Sequence, residues 1–206
     1  MNFTNLFVET NYSMNGSNIK IKDLVKRAKA YGYKTLAITD RFMYGSIKFY
    51  KECMKNDIKP LIGLSIRLEG LLPETYNNFL LYAKNNQGYQ NIIKIASLSS
   101  INGVVTVSEL TKYNSGIIFV LNTELSEINN YFNNNQIHEY EEVMSTLFTI
   151  SEDLYFGLGS NLELNNLLYK KQKCVALDYV HYMDEEDYKV SNILKKILTP
   201  IKLIQF

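Results

Sequence analysis

Apolar residues along the first 66 positions of the chain alternate between short continuous runs and helical spacing. The continuous runs predict three strands, at 6–8, 35–38 and 60–66. A helix is predicted where apolar residues recur at i, i+3, i+4 and i+7 (Ile21, Leu24, Val25 and Ala28), and Gly32 closes it. A second helix, from about residue 45 to 55, has Ile47, Tyr50 and Met54 on one face. This order predicts two consecutive βαβ units.

The alternation is less regular after residue 66 but continues to the last helix. Further strands are predicted at 78–83, 117–121, 154–158 and 174–177. A helix carries Tyr89, Ile92, Ile93 and Ala96 on one face, and segment 123–150 is helical in two pieces separated by the asparagines at 133–135. The last helix begins near Asp184 as its N-cap, ends before Pro200, and is predicted to turn four residues inward: Val190, Ile193, Leu194 and Ile197.

About seven strands that alternate with helices predict an α/β fold with a parallel sheet. The pattern alone leaves a barrel and a doubly wound sheet open. In both architectures functional residues collect at the carboxyl ends of the strands. Polar side chains do follow the predicted strand ends, at 7–13, 39–42, 65 and 178–182.

Composition narrows the class of protein. The 206 residues are 46% hydrophobic, enough for a large core, and the formal net charge of +1 gives no overall signal for a polyanion partner. We find neither a signal peptide nor an apolar run of the ~18 residues that a membrane helix needs. We therefore expect a cytoplasmic protein without membrane contact, in which Cys53 and Cys174 are buried thiols.

Basic residues form two clusters along the chain. Lys22, Lys26, Arg27 and Lys29 share one helix and are interpreted as a solvated face, with contact to DNA phosphates as the alternative. Lys170, Lys171 and Lys173 are interpreted as an exposed cluster.

The segment Leu6-Phe7-Val8-Glu9-Thr10-Asn11-Tyr12-Ser13 carries a family resemblance. It resembles the first motif of the polymerase-and-histidinol-phosphatase (PHP) domain of bacterial DNA polymerase III alpha subunits, Leu-His-x-His-Thr-x-Tyr-Ser. Five further segments match that domain in the same order: 21–28, 36–40, 49–50, 58–63 and 180–182. The resemblance covers most of the chain and implies a distorted (β/α)7 barrel, a single PHP domain over residues 1–206.

The positions that hold metal ligands in the family are mostly changed. The two histidines of the first motif fall on Phe7 and Glu9, and the Asp-His pair of the second falls on Asp40 and Arg41. The glutamate of the third motif falls on Ser65. The Asp and His of the last motif fall on Tyr179 and His181. Only Asp40 and His181 keep the residue of the family.

This substitution pattern bears on the metal chemistry that the resemblance implies. Members with intact ligands hold two or three divalent metals that activate a hydroxide for attack on a phosphoester. The chain has only two histidines, which cannot build such a cluster. Glu9, Asp40 and His181 remain as candidates for a single metal. Against it stands Arg41, whose charge would repel a cation by about 4 kcal/mol per unit charge at ~4 Å and an effective dielectric of ~20.

A hypothesis follows for Arg41. Without metals, Glu9 and Asp40 would be two repelling carboxylates in a partly buried pocket, and a guanidinium beside them would restore neutrality and could bridge both. The remaining side chains have ordinary interpretations: His181 as a hydrogen-bonded structural residue, and Tyr179 and Tyr182 as cover for the pocket mouth.

The resemblance implies that the chain is the N-terminal domain, or a fragment, of a replicative DNA polymerase III alpha subunit. The parent would be the nucleotidyltransferase, with Mg in its polymerase domain. This domain would be non-catalytic and bind no cofactor. Its expected partners are the rest of the polymerase chain, a proofreading exonuclease or other replisome proteins, and DNA through the parent. Two alternatives stay open: a metal-dependent phosphoesterase or 3′–5′ exonuclease of the PHP superfamily, and a stand-alone phosphatase of the histidinol-phosphate type.

Overall fold

The computed structural model of the chain describes residues 3–14, 16–72 and 75–198. The strands in these ranges are β1 (Phe7–Val8), β2 (Thr35–Ile38), β3 (Lys59–Glu69), β4 (Tyr76–Ala83), β5 (Ile117–Asn122), β6 (Leu154–Leu158), β7 (Cys174–Ala176) and β8 (Tyr179–Val180). The α-helices are α1 (Ile21–Ala30), α2 (Ser46–Lys55), α3 (Asn86–Asn102), α4 (Val107–Lys112), α5 (Glu127–Asn133), α6 (Ile137–Phe148), α7 (Leu162–Tyr169) and α8 (Glu185–Leu198).

Six strands form one curled sheet in the order β2-β3-β4-β5-β6-β7. A second, two-stranded sheet pairs β1 with β8 in parallel, with Phe7 opposite Tyr179 and Val8 opposite Val180. The two sheets meet where the backbone N–H of Thr39, just past β2, donates to the carbonyl of Val8 at 2.8 Å. The predicted α/β barrel-type fold is thus confirmed, and the arrangement brings the carboxyl ends of β1, β2 and β8 together.

The sheet is mixed, which corrects the expectation of a parallel one. β4 runs antiparallel to both β3 and β5, whereas the β2–β3, β5–β6 and β6–β7 pairs are parallel. The reason is the short connection between Glu69 and Tyr76. A parallel neighbour needs a crossover of a dozen or more residues, while an antiparallel neighbour needs only a turn.

Two predicted helix faces are wrong. On α2 the buried residues are Ser46, Phe49 and Cys53, and the face with Ile47, Tyr50 and Met54 is exposed to solvent. On α8, Val190 and Ile193 are exposed by 46% and 59%, and Ser191 is buried. The side chains of Leu194 and Ile197, and Pro200, lie outside the described residues. Asp184 does cap α8, since its Oδ1 accepts from the N–H of Asp187 at 3.1 Å.

Two hydrophobic clusters carry most of the core. One lies between the curled sheet and helices α3 to α7 and includes Phe79, Phe119 and Phe156. The other lies between β2 and helices α1 and α2 and includes Phe49 and Cys53. Within the described ranges, no helix combines the length and the apolar character needed to cross a bilayer.

Candidate functional site

The changed motif positions surround a cavity of about 870 Å3 at the carboxyl ends of the strands. Five of them line it: Phe7, Glu9, Arg41, Ser65 and Tyr179. The other two are buried and do not line it: Asp40 is 1% exposed and His181 is 8% exposed. The structure therefore brings the residues singled out from the sequence to one end of the barrel.

Glu9 is the centre of the cluster. Its carboxylate is 2% exposed, and each oxygen has a protein donor. Oε1 lies 3.3 Å from Nε of Arg41, and Oε2 accepts from the hydroxyl of Tyr179 at 2.7 Å. These two contacts join the ends of β1, β2 and β8.

Burial raises the pKa of Glu9 above its ordinary value, and the Arg41 guanidinium and the Tyr179 hydroxyl oppose that rise. Burial and the adjacent Glu9 carboxylate raise the pKa of Tyr179, so this hydroxyl keeps its proton and acts as a donor. The site holds a buried carboxylate by one charged and one neutral donor.

Asp40 is held by a separate set of donors. It accepts from the backbone N–H of Thr10 at 2.6 Å, from Oγ1 of Thr10 at 2.7 Å and from Oγ of Ser13 at 2.8 Å. Burial raises the pKa of Asp40, and these hydrogen bonds from Thr10 and Ser13 lower it in part. Thr10 and Ser13, two of the residues that match the first PHP motif, thus serve here to hold the retained aspartate.

This arrangement corrects one part of the Arg41 hypothesis. The guanidinium contacts Glu9 as expected, but it does not bridge to Asp40, which is satisfied by hydroxyl and amide donors. Arg41 still touches the Asp40 network through its backbone, because its N–H donates to Oγ of Ser13 at 3.2 Å. The Arg41 side chain is 51% exposed, so one side of it faces the cavity.

Three aromatic rings fill the seam between β1 and β8. The rings of Phe7 and Tyr179 lie 4.4 Å apart at 34°, and those of Tyr179 and His181 lie 4.4 Å apart at 15°. The His181 ring also packs edge-on against the Tyr182 ring, with 4.9 Å between the ring centres. The backbone carbonyl of His181 accepts from Oγ of Ser17 at 2.8 Å. Where the resemblance places a ligand histidine and a ligand aspartate, the structure has a packed aromatic pair.

Further cavity residues come from β3 and β4 and were not singled out in the sequence. Asn78 Nδ2 donates to Oγ of Ser65 at 3.0 Å, and the Arg67 guanidinium lies 5.7 Å from the centre of the Tyr76 ring. Arg67 could have been found, because it lies two positions after Ser65 and a strand repeats its faces every two residues. Asn78 and Tyr76 depend on the antiparallel register of β4, which the hydrophobic pattern does not give.

Metal-ligating residues do not converge in the described part of the chain. No group of three or more His, Cys, Asp or Glu side chains there is placed to hold an ion. The oxygens of Glu9 and Asp40 are directed at protein donors instead. This donor set does not fit the multinuclear metal cluster that intact members of the resembled family hold.

A solved structure with a similar fold is known. An amidohydrolase from Chromobacterium violaceum, solved with bound sulfate and no metal, has a TM-score of 0.57 to this chain, with 9% sequence identity and 89% of each chain covered. The chain therefore shares the α/β fold of that protein. The model of the PHP domain matches residues 5–164, and the chain belongs to the PHP domain family.

Relatives in sequence include DNA polymerase subunits. DNA polymerase III subunit alpha of Aquifex aeolicus is 30% identical over 224 aligned positions, which cover 93% of this chain and 19% of the relative. The same subunit of Bacillus subtilis is 32% identical over 223 positions, covering 98% of this chain and 20% of the relative. The chain spans about a fifth of the length of the curated relatives it matches.

Proposed function

We propose that this chain is the N-terminal PHP domain of a DNA polymerase III alpha subunit, and that the domain itself has a structural and interaction role without catalysis. The polymerase assignment is supported by alignments that cover 93% and 98% of the chain with such subunits. DNA synthesis and its Mg-dependent chemistry would then belong to the rest of the longer protein. The proposed partners are the remainder of the polymerase chain and a proofreading exonuclease or another replisome protein.

The contact between Arg41 and Glu9 carries the non-catalytic part of the proposal. The guanidinium supplies a permanent positive charge at the strand ends where intact family members hold cations. Tyr179 takes the other carboxylate oxygen. Together they stabilise the buried Glu9 charge from within the protein, so that no metal is needed to keep the three strand ends together.

The second candidate function is a metal-dependent phosphoesterase or 3′–5′ exonuclease. The observation in its favour is the cavity of about 870 Å3 with a buried acidic residue, Glu9, in its wall. A single metal on Glu9, Asp40 and His181 would require the carboxylates to leave Arg41, Tyr179, Thr10 and Ser13. We rank this function second because five hydrogen bonds, one of which is also the Arg41–Glu9 ion pair, oppose it.

Metal analysis tests the choice directly. The chain is purified without chelator and its Zn, Mn and Fe contents are measured, and hydrolysis of a phosphodiester is followed with added Mn. The proposal expects less than one metal equivalent and no turnover above buffer. One or more bound equivalents, or turnover that Glu9→Gln abolishes, would establish the second function instead.

A gain-of-ligand variant serves as the positive control. Phe7→His, Glu9→His and Arg41→His in one chain restore three family ligands and remove the guanidinium. Metal uptake by this variant alone would show that the measurement detects a site when ligands are present. The polymerase assignment has its own test, since the reading frame that encodes the chain should continue into a polymerase domain, and a stop directly after residue 206 would refute it.

A further inference from the structure

Positive charge is concentrated in residues 20–59. This segment contains eleven of the 22 Lys and Arg residues and four of the 21 Asp and Glu residues, an excess of seven positive charges, while the whole chain has an excess of only one. The near-neutral total therefore hides a strong separation of charge. Nucleic-acid-binding surfaces are recognised by such local excess rather than by the net charge of the chain.

The fold puts these charges on neighbouring helices. α1 and α2 bury their inner faces in the same hydrophobic cluster against β2, so their outer faces look away from the sheet. Each outer face carries an exposed stripe of three lysines: Lys22, Lys26 and Lys29 on α1, and Lys48, Lys51 and Lys55 on α2. Each stripe spans eight residues, or about 10 Å of helix.

Few acidic side chains neutralise the charges of the lysines in the two stripes. The ion pairs among the described residues use Arg27, Arg41 and Lys84, and the lysines of the two stripes take part in none of them. Asp40, one of the four acids in the segment, is buried and accepts its hydrogen bonds from Thr10 and Ser13. The positive potential of α1 and α2 is therefore directed at solvent.

Exposed tyrosines stand among the lysines. Tyr44 is 69% exposed just before α2, Tyr50 is 48% exposed between Lys48 and Lys51, and Tyr31 is 73% exposed at the end of α1. Aromatic rings interleaved with cations are the arrangement on which single-stranded nucleic acids stack their bases and lay their phosphates.

We propose that the outer face of α1 and α2 binds single-stranded nucleic acid, with the lysine stripes on the phosphates and Tyr50 and Tyr44 on the bases. This inference rests on charge and exposure alone and does not need the domain to belong to a polymerase. An anionic membrane fits less well. A membrane-lying helix needs an exposed apolar stripe beside its cations. α2 has such a stripe in Ile47, Tyr50 and Met54. α1 has none, since its exposed residues are Lys22, Asp23, Lys26, Lys29 and Ala30, so half of the lysines lie on a helix with no apolar face to insert.

Fluorescence anisotropy of the 206-residue chain with a labelled oligodeoxynucleotide of about 20 nucleotides tests the proposal. The test variant is Lys26→Ala/Lys29→Ala/Lys51→Ala/Lys55→Ala. Its control, Lys170→Ala/Lys171→Ala, removes exposed lysines from another face. Tyr50→Ala is paired with Tyr169→Ala, whose ring is 74% exposed on α7.

We expect the four-lysine variant to bind at least about tenfold more weakly, with the slope of log affinity against log salt reduced by about 0.7 per lysine removed. Tyr50→Ala should weaken binding about fivefold or more, and both controls should bind like the parent chain. Three results would overturn the proposal: no binding at about 50 mM salt, equal losses in test and control variants, or tighter binding of the matching duplex or of phosphatidylserine vesicles than of the single strand.

Discussion

Replacing Arg41 with alanine should destabilise the protein at neutral pH and leave it nearly unchanged at acid pH. The substitution leaves the carboxylate of Glu9, 2% exposed, with the Tyr179 hydroxyl as its remaining donor. Removing one partner of a fully buried ion pair costs about 3–5 kcal/mol. The Arg41 side chain is 51% exposed, so solvent screens the pair and we expect a loss of about 1–2 kcal/mol.

The pH dependence follows from the pKa of Glu9, which burial raises in the folded protein above the ordinary value of 4.5. A carboxyl group with a raised pKa favours folding while it is protonated, and this advantage disappears as the pH rises through the folded pKa. Below pH 4.5 Glu9 is mostly protonated in both states, and Arg41 has little anion to stabilise. Above the folded pKa the anion is present, and the full loss appears.

Urea unfolding of the parent chain and of Arg41→Ala, at about pH 4 and about pH 7.5, measures this difference. A loss of about 1–2 kcal/mol corresponds to about 2–8 °C in Tm for a chain of this size. Arg67→Ala is the matched control, because Arg67 lines the same cavity and lies over an aromatic ring rather than on a carboxylate. When Glu9 is already replaced by Gln, the further change Arg41→Ala should cause little additional loss of stability. Equal losses at both pH values, or none at about pH 7.5, would refute the role given to Arg41.

Other contacts give further expectations. Tyr179→Phe removes the 2.7 Å hydrogen bond to Glu9 and should cost about 1–2 kcal/mol in urea unfolding. Glu127→Ala removes the acceptor for the N–H of Leu71 at 3.0 Å, among other donors in the β3–β4 connection, and should cost about 2–3 kcal/mol and speed amide exchange at Leu71. Burial raises the pKa of Cys53 to about 12, so its thiol should react with a disulfide reagent only after unfolding in urea.

Each of these expectations has its own control. Tyr182→Phe removes a hydroxyl from a ring that is 38% exposed and should leave stability unchanged; a loss equal to that of Tyr179→Phe would show that the Glu9 contact is not the cause. Glu124→Ala should leave exchange at Leu71 unaltered, and acceleration in both variants would argue against a specific role for Glu127. Cys53→Ser should remove the thiol that appears on unfolding, and rapid reaction of Cys53 in the folded chain would contradict its burial.

Much of the fold was predictable because the residues that recur at helical or strand spacing in the sequence are mostly the residues that the fold buries. The first two βαβ units were located from apolar spacing, and the strands and helices at 6–66 appear within one or two residues of the expected bounds, except that β3 extends to Glu69. The face of α2 could not be chosen in this way. Five of its ten residues are apolar or aromatic and they supply two overlapping stripes, so only packing against β2 shows that Phe49 and Cys53 are inside.

The candidate site was predictable in part for a similar reason. Glu9 follows β1 and Arg41 follows β2, and this order places both residues at the carboxyl ends of adjacent strands, as found. The donors for Asp40 depend on the short 3-10 helix at 11–13, which Thr10 caps through its side chain. The pairing of Tyr179 with Glu9 depends on β8. This strand has only two residues, which is too short for a hydrophobic pattern to reveal it.

The pairing of β1 with β8 has a consequence for how the protein is made. It joins residues 7–8 to residues 179–180, so β1 has no partner on that side until residues 179–180 have been synthesised. Contacts between residues so distant in sequence form late and slowly, after more local ones. We expect a folding intermediate on the ribosome in which the curled sheet is built and the seam is open, with Phe7 and Glu9 accessible to chaperones until β8 arrives.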